Sequence, residues 1–172
     1  ATIQEHNLSI MGGSERSNTF LSFNYLNQEG MIPNTSSQRY GMRANMGLQV
    51  KDRIKIDGRI NYTRRVSNEP YNGLGLVYDK LAGVTPYTVP YTVDGHYGAV
   101  EAITEEGDIL YDNRNPLIDA NNGNRRSERN YLSLNVSTDI NLTNTLLWRN
   151  NVSTQGTWSM VDNYNETLQG YT

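Results

Sequence analysis

Apolar and polar side chains alternate strictly, residue by residue, over whole segments of this chain. Successive side chains of a β-strand point to opposite faces, so such segments become strands with one apolar and one polar face. In 39–50 the even positions are Tyr40, Met42, Ala44, Met46, Leu48 and Val50. The odd positions are Arg39, Gly41, Arg43, Asn45, Gly47 and Gln49. In 53–65 Ile54, Ile56, Gly58, Ile60 and Tyr62 oppose Lys55, Asp57, Arg59, Asn61, Thr63 and Arg65. Leu21 and Phe23 alternate with Ser22 and Asn24, and Leu132, Leu134 and Val136 with Ser133, Asn135 and Ser137. A soluble antiparallel sandwich also alternates, so the pattern by itself leaves two architectures open.

The connections separate them. Six strands are expected at 4–12, 17–27, 38–50, 53–66, 127–140 and 145–158. Tight turns fall at 13–16, 51–52 and 141–144, where Gly, Ser, Asp and Asn supply turn chemistry. The other connections are 28–37 and the long segment 67–126. Short turns on one side and long loops on the other are the arrangement of a transmembrane β-barrel, with the long loops extracellular. Tyr25, Tyr40 and Tyr62 fall on the apolar face near the long-loop ends, as an interfacial girdle requires. Trp148 and Trp158 share one parity, but Asn150 and Thr154 lie on the same face between them, which a bulge or a shifted register would relieve.

The expected fold is therefore all-β: an antiparallel up-and-down meander of about six strands, part of a transmembrane β-barrel, with a long extracellular loop at 67–126. Leu74, Val77, Tyr78 and Leu81 have helical spacing, which predicts a short amphipathic helix at 71–83 inside that loop. Pro86 and Pro90 stiffen the next stretch, Val93-Asp94-Gly95-His96-Tyr97-Gly98 reads as a turn, and 119–126 as a polar link. Both outer strands of six would carry unpaired edges, which lipid does not tolerate, so the chain is expected to be a piece of a larger barrel that starts within a strand.

Composition fits this picture. The chain has 172 residues, a hydrophobic fraction of only 36%, 12 Tyr and 15 Gly. It has no apolar run long enough for a membrane-spanning helix, a test to which barrel strands are blind. The net charge of -3 and the lack of a basic stretch argue against a nucleic-acid partner. Cysteine is absent, so thiol chemistry and disulfides are excluded. The N-terminal segment lacks the charged and apolar regions of a signal peptide.

The segments His6-Asn7-Leu8-Ser9-Ile10-Met11-Gly12-Gly13-Ser14-Glu15-Arg16 and Phe20-Leu21-Ser22-Phe23-Asn24-Tyr25-Leu26-Asn27-Gln28-Glu29-Gly30-Met31-Ile32 form one motif. It continues through Arg39-Tyr40-Gly41-Met42-Arg43-Ala44-Asn45 and Ile60-Asn61-Tyr62-Thr63. A strand, a Gly-Gly-Ser turn, a strand ending in Tyr-x-x-x-x-Gly and an Arg-x-x-x-Arg-x-Asn strand resemble the SusC/RagA family of TonB-dependent outer-membrane transporters. The likeness covers about the first 65 residues well. The turn 93–98, Asn115-Pro116-Leu117 and the last two strands are similar less specifically.

The resemblance implies location in the bacterial outer membrane and import of an oligosaccharide or a peptide. It implies energy from TonB through a plug domain absent from this chain, and a SusD-like surface lipoprotein over the mouth. The alternative function is a soluble β-sandwich that binds glycans.

No catalytic motif is present, so the chain is not expected to be an enzyme, and no cofactor or metal is expected. His6 and His96 lack metal-ligand spacing. Glu101, Glu105, Glu106, Asp108 and Asp112 could offer oxygens to a hard cation, although a solvated acidic loop is the plainer account. Arg39, Arg43, Lys55, Arg59 and Arg65 are expected on the polar, lumen-facing wall, where they either meet substrate or pair with carboxylates of a plug or with Asp57. Tyr87, Tyr91, Tyr97 and Tyr111 are the expected contacts with substrate or partner, because aromatic faces stack on sugar C–H groups.

Overall fold

The computed structural model describes residues 1–84, 89–98, 100–103, 109–112 and 115–165. All six expected strands form. They are β1 (Ile3–Ser14), β2 (Ser17–Glu29), β3 (Ser36–Lys51), β4 (Ile54–Glu69), β7 (Asn124–Asn141) and β8 (Leu147–Tyr164). They make one sheet in the order β1-β2-β3-β4-β7-β8, so sequential neighbours pair and β1 and β8 lie at its edges. Between β4 and β7 come α1 (Gly73–Gly83), the paired strands β5 (Val100–Ile103) and β6 (Ile109–Asp112), and α2 (Pro116–Asn121).

β1 and β2 are antiparallel, with Leu8 opposite Phe23, Ile10 opposite Leu21 and Asn7 opposite Asn24. Apolar faces apolar and amide faces amide, as the alternation requires. Ser14 pairs with Ser17 around a two-residue turn, Glu15-Arg16. The connections fall at 15–16, 30–35, 52–53, 70–123 and 142–146, and the first, second and fourth of these are shorter than the sequence suggested. Backbone pairing runs past the apolar pattern; the Glu29 N–H, for example, still donates to the Thr2 carbonyl at 2.9 Å. As a result 30–35 is little longer than 142–146, and length alone sorts the connections less sharply than expected.

The chain divides into two compact units. One comprises Ala1–Glu29, Ser37–Ser67 and Ser127–Met160. It is the body of the sheet together with the three tight turns. The other gathers Gly30–Ser36, Asn68–Arg126 and Val161–Thr172. The two connections on the far side of the meander thus belong to one unit, and Asn34 Nδ2 in the first donates to the Ala120 carbonyl in the second at 3.2 Å.

The sheet body has almost no core. Buried apolar residues among those described are Val66 in β4 and Val77, Ile118 and Ala120 in the helices. The apolar face stays exposed: Leu8, Ile10, Phe23, Met46, Ile60, Val136 and Val152 all keep a large part of their surface free. A sandwich would bury that face against a second sheet. Exposure on this scale suits a surface that faces lipid.

The second unit is built on a small helical core. α1 matches the expected helix, and its Val77 is 2% exposed. α2 ends inside the stretch 119–126 that the sequence presents as a polar link; Pro116 is set at its first turn and the Asn115 side chain caps it, accepting from the Leu117 N–H at 3.1 Å. Asp119 is 5% exposed, ion-paired with Lys80 of α1 and bonded to Asn72 Nδ2 at 3.3 Å, so the start of the expected link is instead part of the helical core. β5 and β6 were also unforeseen, since four-residue strands are too short for alternation to register.

Candidate functional site: a polar wall and an aromatic rim

The polar face of the sheet places all five cationic residues picked out in the sequence on β3 and β4. Gly41 and Gly47 make room for it, because a Cβ at Gly41 would sit 2.0 Å from Asn24 Oδ1 and one at Gly47 would sit 2.3 Å from Asn18 Oδ1. The amides of β2 therefore lie across β3. Arg39, Arg43 and Arg65 line one hollow of about 410 Å³ with Asn7, Asn24 and Asn61. Arg43 and Arg59 line a second, of about 600 Å³, with Asp57, Asn45 and Asn135.

Their partners differ. Lys55 Nζ lies 3.2 Å from Asp57 Oδ2, an ion pair within one strand and on the expected wall. Arg43 Nε donates to Asn61 Oδ1 at 3.5 Å. Arg39 is half-buried, and its Nε is buried with no hydrogen-bond partner. The polar wall continues through β7 and β8. Arg149 grips Asp139 through two 2.8 Å bonds, and Asn135 Nδ2 donates to Asn151 Oδ1 at 2.8 Å. Tyr131 donates to Gln155 at 3.4 Å. Odd residues of β8 thus meet odd residues of β7, so the simple parity holds over 149–155. Asn150 and Thr154 stay on the apolar side between Trp148 and Trp158 without a bulge to remove them.

The opposite face carries the aromatic row. Tyr25 and Tyr40 have ring centroids 5.1 Å apart, and His6 stacks on Tyr25 at 6.2 Å and 10°. These three and Tyr62 line a mostly apolar groove with Phe23 and Met42. The row thus crosses β1 to β4 near one end of the sheet. His6 shares the parity of Leu8 and Ile10, lies on this face and stays exposed.

Just beyond the row the same face turns polar. The Tyr62 hydroxyl donates to Asn130 Oδ1 at 2.8 Å, Asn130 Nδ2 donates to Glu128 Oε1 at 3.1 Å, and Arg64 donates to Glu128 Oε2 at 2.7 Å. An apolar field, a tyrosine row and then hydrogen-bonded charge is the order met on crossing from hydrocarbon to headgroups.

In the second unit Tyr91 and Tyr97 come together, paired across a turn with ring centroids 5.6 Å apart. Gly95 takes φ +83 there, and Thr92 bonds His96 through both backbone and side chain. Asn115, 2% exposed, fastens the turn: its Nδ2 donates to the carbonyls of Pro90 at 2.9 Å and Gly98 at 3.0 Å. Its sequence signal was only the cap-like Asn115-Pro116. Tyr87 lies outside the described residues, as do Glu105, Glu106 and Asp108. Tyr111 is in β6 opposite Glu101, but the side chains of Tyr111, Glu101 and Asp112 are outside the described set. Of the four tyrosines, Tyr91 and Tyr97 are the two whose side chains are described, and they form a pair.

These features together match the wall of a transmembrane β-barrel. No family model matches the chain. Over 103 residues, 60% of its length, it is 30% identical to TonB-dependent receptor P26 of Formosa agariphila, of which the match covers 10%. The chain thus spans about a tenth of the length of that relative.

Proposed function

We propose that this chain is part of the barrel of an outer-membrane, TonB-dependent nutrient importer and has no catalytic role. Its polar face lines the lumen, its apolar face meets outer-membrane lipid, and the connections 30–35 and 70–123 lie outside the cell. The observation that carries this reading is the sorting of the meander. One face is exposed and apolar up to a tyrosine row, the other is polar, and both far-side connections fall in one unit. The likeness to a TonB-dependent receptor supports it. The edges of β1 and β8 would then be paired by further strands of the receptor.

The finer reading follows the SusC/RagA resemblance. The cargo is an oligosaccharide or a peptide, a SusD-like lipoprotein covers the mouth, and TonB acts through a plug contributed elsewhere in the receptor. Deleting the receptor gene should abolish uptake of the cargo, and deleting TonB should do the same. A receptor that fractionates away from the outer membrane, or uptake that persists in both deletions, would reject the proposal.

A further inference from the structure

The hollow around Arg39, Arg43 and Arg65 has an unusual charge balance. None of the residues lining it is an aspartate or a glutamate. Among the described residues Arg39, Arg43 and Arg65 make no ion pair, and the hydrogen bond Arg43 makes is to the neutral amide of Asn61. The neighbouring hollow differs, because Asp57 stands in its wall beside Arg43 and Arg59.

The strand spacing makes this costly. Gly47 lies against Asp57 and Arg43 against Asn61. Continued four residues along both strands, that spacing sets Arg39 level with Arg65. Like charges facing each other across a strand pair destabilise it. Arg39 Nε, a donor, and Asn24 Oδ1, an acceptor, are buried in this lining without partners. A buried polar atom left unpaired costs free energy that a suitable ligand recovers.

From this we infer that the hollow is a binding site for a carboxylate or sulfate group on an oligosaccharide cargo. The inference rests on reading the polar face as the lumen of an importer. Three guanidiniums in one concavity concentrate positive potential, and their planar forks match the oxygens of either anion. Asn7, Ser22, Asn61 and Thr63 add amides and hydroxyls suited to ring hydroxyls, and Met42 and Tyr62 are the large apolar or aromatic residues in the lining. Little apolar surface remains for the side chains of a peptide.

The test uses the full-length receptor, purified in detergent and titrated with an oligogalacturonate, a sulfated galactan oligosaccharide, maltohexaose and hexaglutamate. The two charged sugars should bind at least ten-fold more tightly than the other two, and rising salt should weaken them, as should competing inorganic sulfate. Arg39→Gln with Arg65→Gln should lower charged-sugar affinity about ten-fold or more, while Arg16→Gln, in the turn beyond β1, should not. Removing facing like charges should not impair assembly, and the sulfate competition on the unaltered receptor is independent of any variant. Equal binding of charged and neutral sugars, preference for hexaglutamate, or an unaffected double variant would each overturn the inference. So would a double variant that melts earlier with its selectivity intact, since the arginines would then pair with carboxylates elsewhere in the receptor. A receptor that imports a neutral oligosaccharide but binds neither charged sugar leaves the importer standing and removes this site. One that imports nothing and lies outside the outer membrane removes both.

Discussion

Gly12 and Gly13 are neighbours on β1 with opposite surroundings. A Cβ at Gly13 would lie 2.5 Å from the Ser17 carbonyl oxygen, whereas nothing lies within 4 Å of one at Gly12. The first obstacle is backbone held by the tight turn, so it cannot swing aside. Gly13→Ala should therefore destabilise the protein by about 1–3 kcal/mol. Gly12→Ala puts its methyl on the apolar side and should be neutral or stabilising by roughly 0.5–1 kcal/mol, because glycine within a strand carries an entropic cost. Urea titration of the full-length receptor in lipid vesicles, followed by gel mobility, separates the two. Equal effects would mean that the turn is looser than the Ser14–Ser17 pairing implies. Both glycines belong to one Gly-Gly-Ser motif, and nothing in the sequence distinguished them. The difference arises only once β2 has folded back.

At the scale of the strand, periodicity carried most of the information. β3 and β4 were legible because sixteen residues each give the two-residue alternation many repeats. The same logic placed Arg39, Arg43, Lys55, Arg59 and Arg65 on one wall without any contact being known. It could not say which of them are paired, since the Lys55–Asp57 bridge and the unpaired Arg39 depend on side-chain packing that periodicity does not encode. α2 stayed hidden for a related reason. Six residues are too few for a helical period, and only the Asn115-Pro116 start marked it.

The register of β3 has a direct test. Met46 is 58% exposed on the apolar face, while Asn45 points to the polar one. If the apolar face meets lipid as proposed, Met46→Arg should prevent assembly of the barrel, because an arginine near the bilayer midplane costs about 2–4 kcal/mol. Asn45→Arg should assemble at close to the normal level. Outer-membrane abundance of each variant is the measurement, and equal loss from both would shift the register by one residue.

For the molecule as a whole, the question is what the long connection does. Its base is held by the helices. Val77 and Ile118 are buried, and Asp119 ties α1 to α2 through Lys80 and Asn72. The Tyr91–Tyr97 turn sits on that base as a separate piece, joined through the Asn115 amide to the carbonyls of Pro90 and Gly98. Proline-stiffened, tyrosine-bearing loops lose little conformational freedom on binding, which suits recognition. Removing 87–111 takes away the turn and the β5–β6 pair but leaves the helical base, provided the Asn115 donors are not stranded. Asn115→Ser alongside the deletion keeps a helix-capping oxygen and removes the amide. On the proposed function, this combined variant should assemble in the outer membrane at normal abundance and lose most of its cargo uptake or its association with the proposed SusD-like lipoprotein. Pull-down of that lipoprotein and uptake of labelled cargo read the two losses separately. If both remain normal in an assembled protein, the tyrosine turn takes no part in recognition.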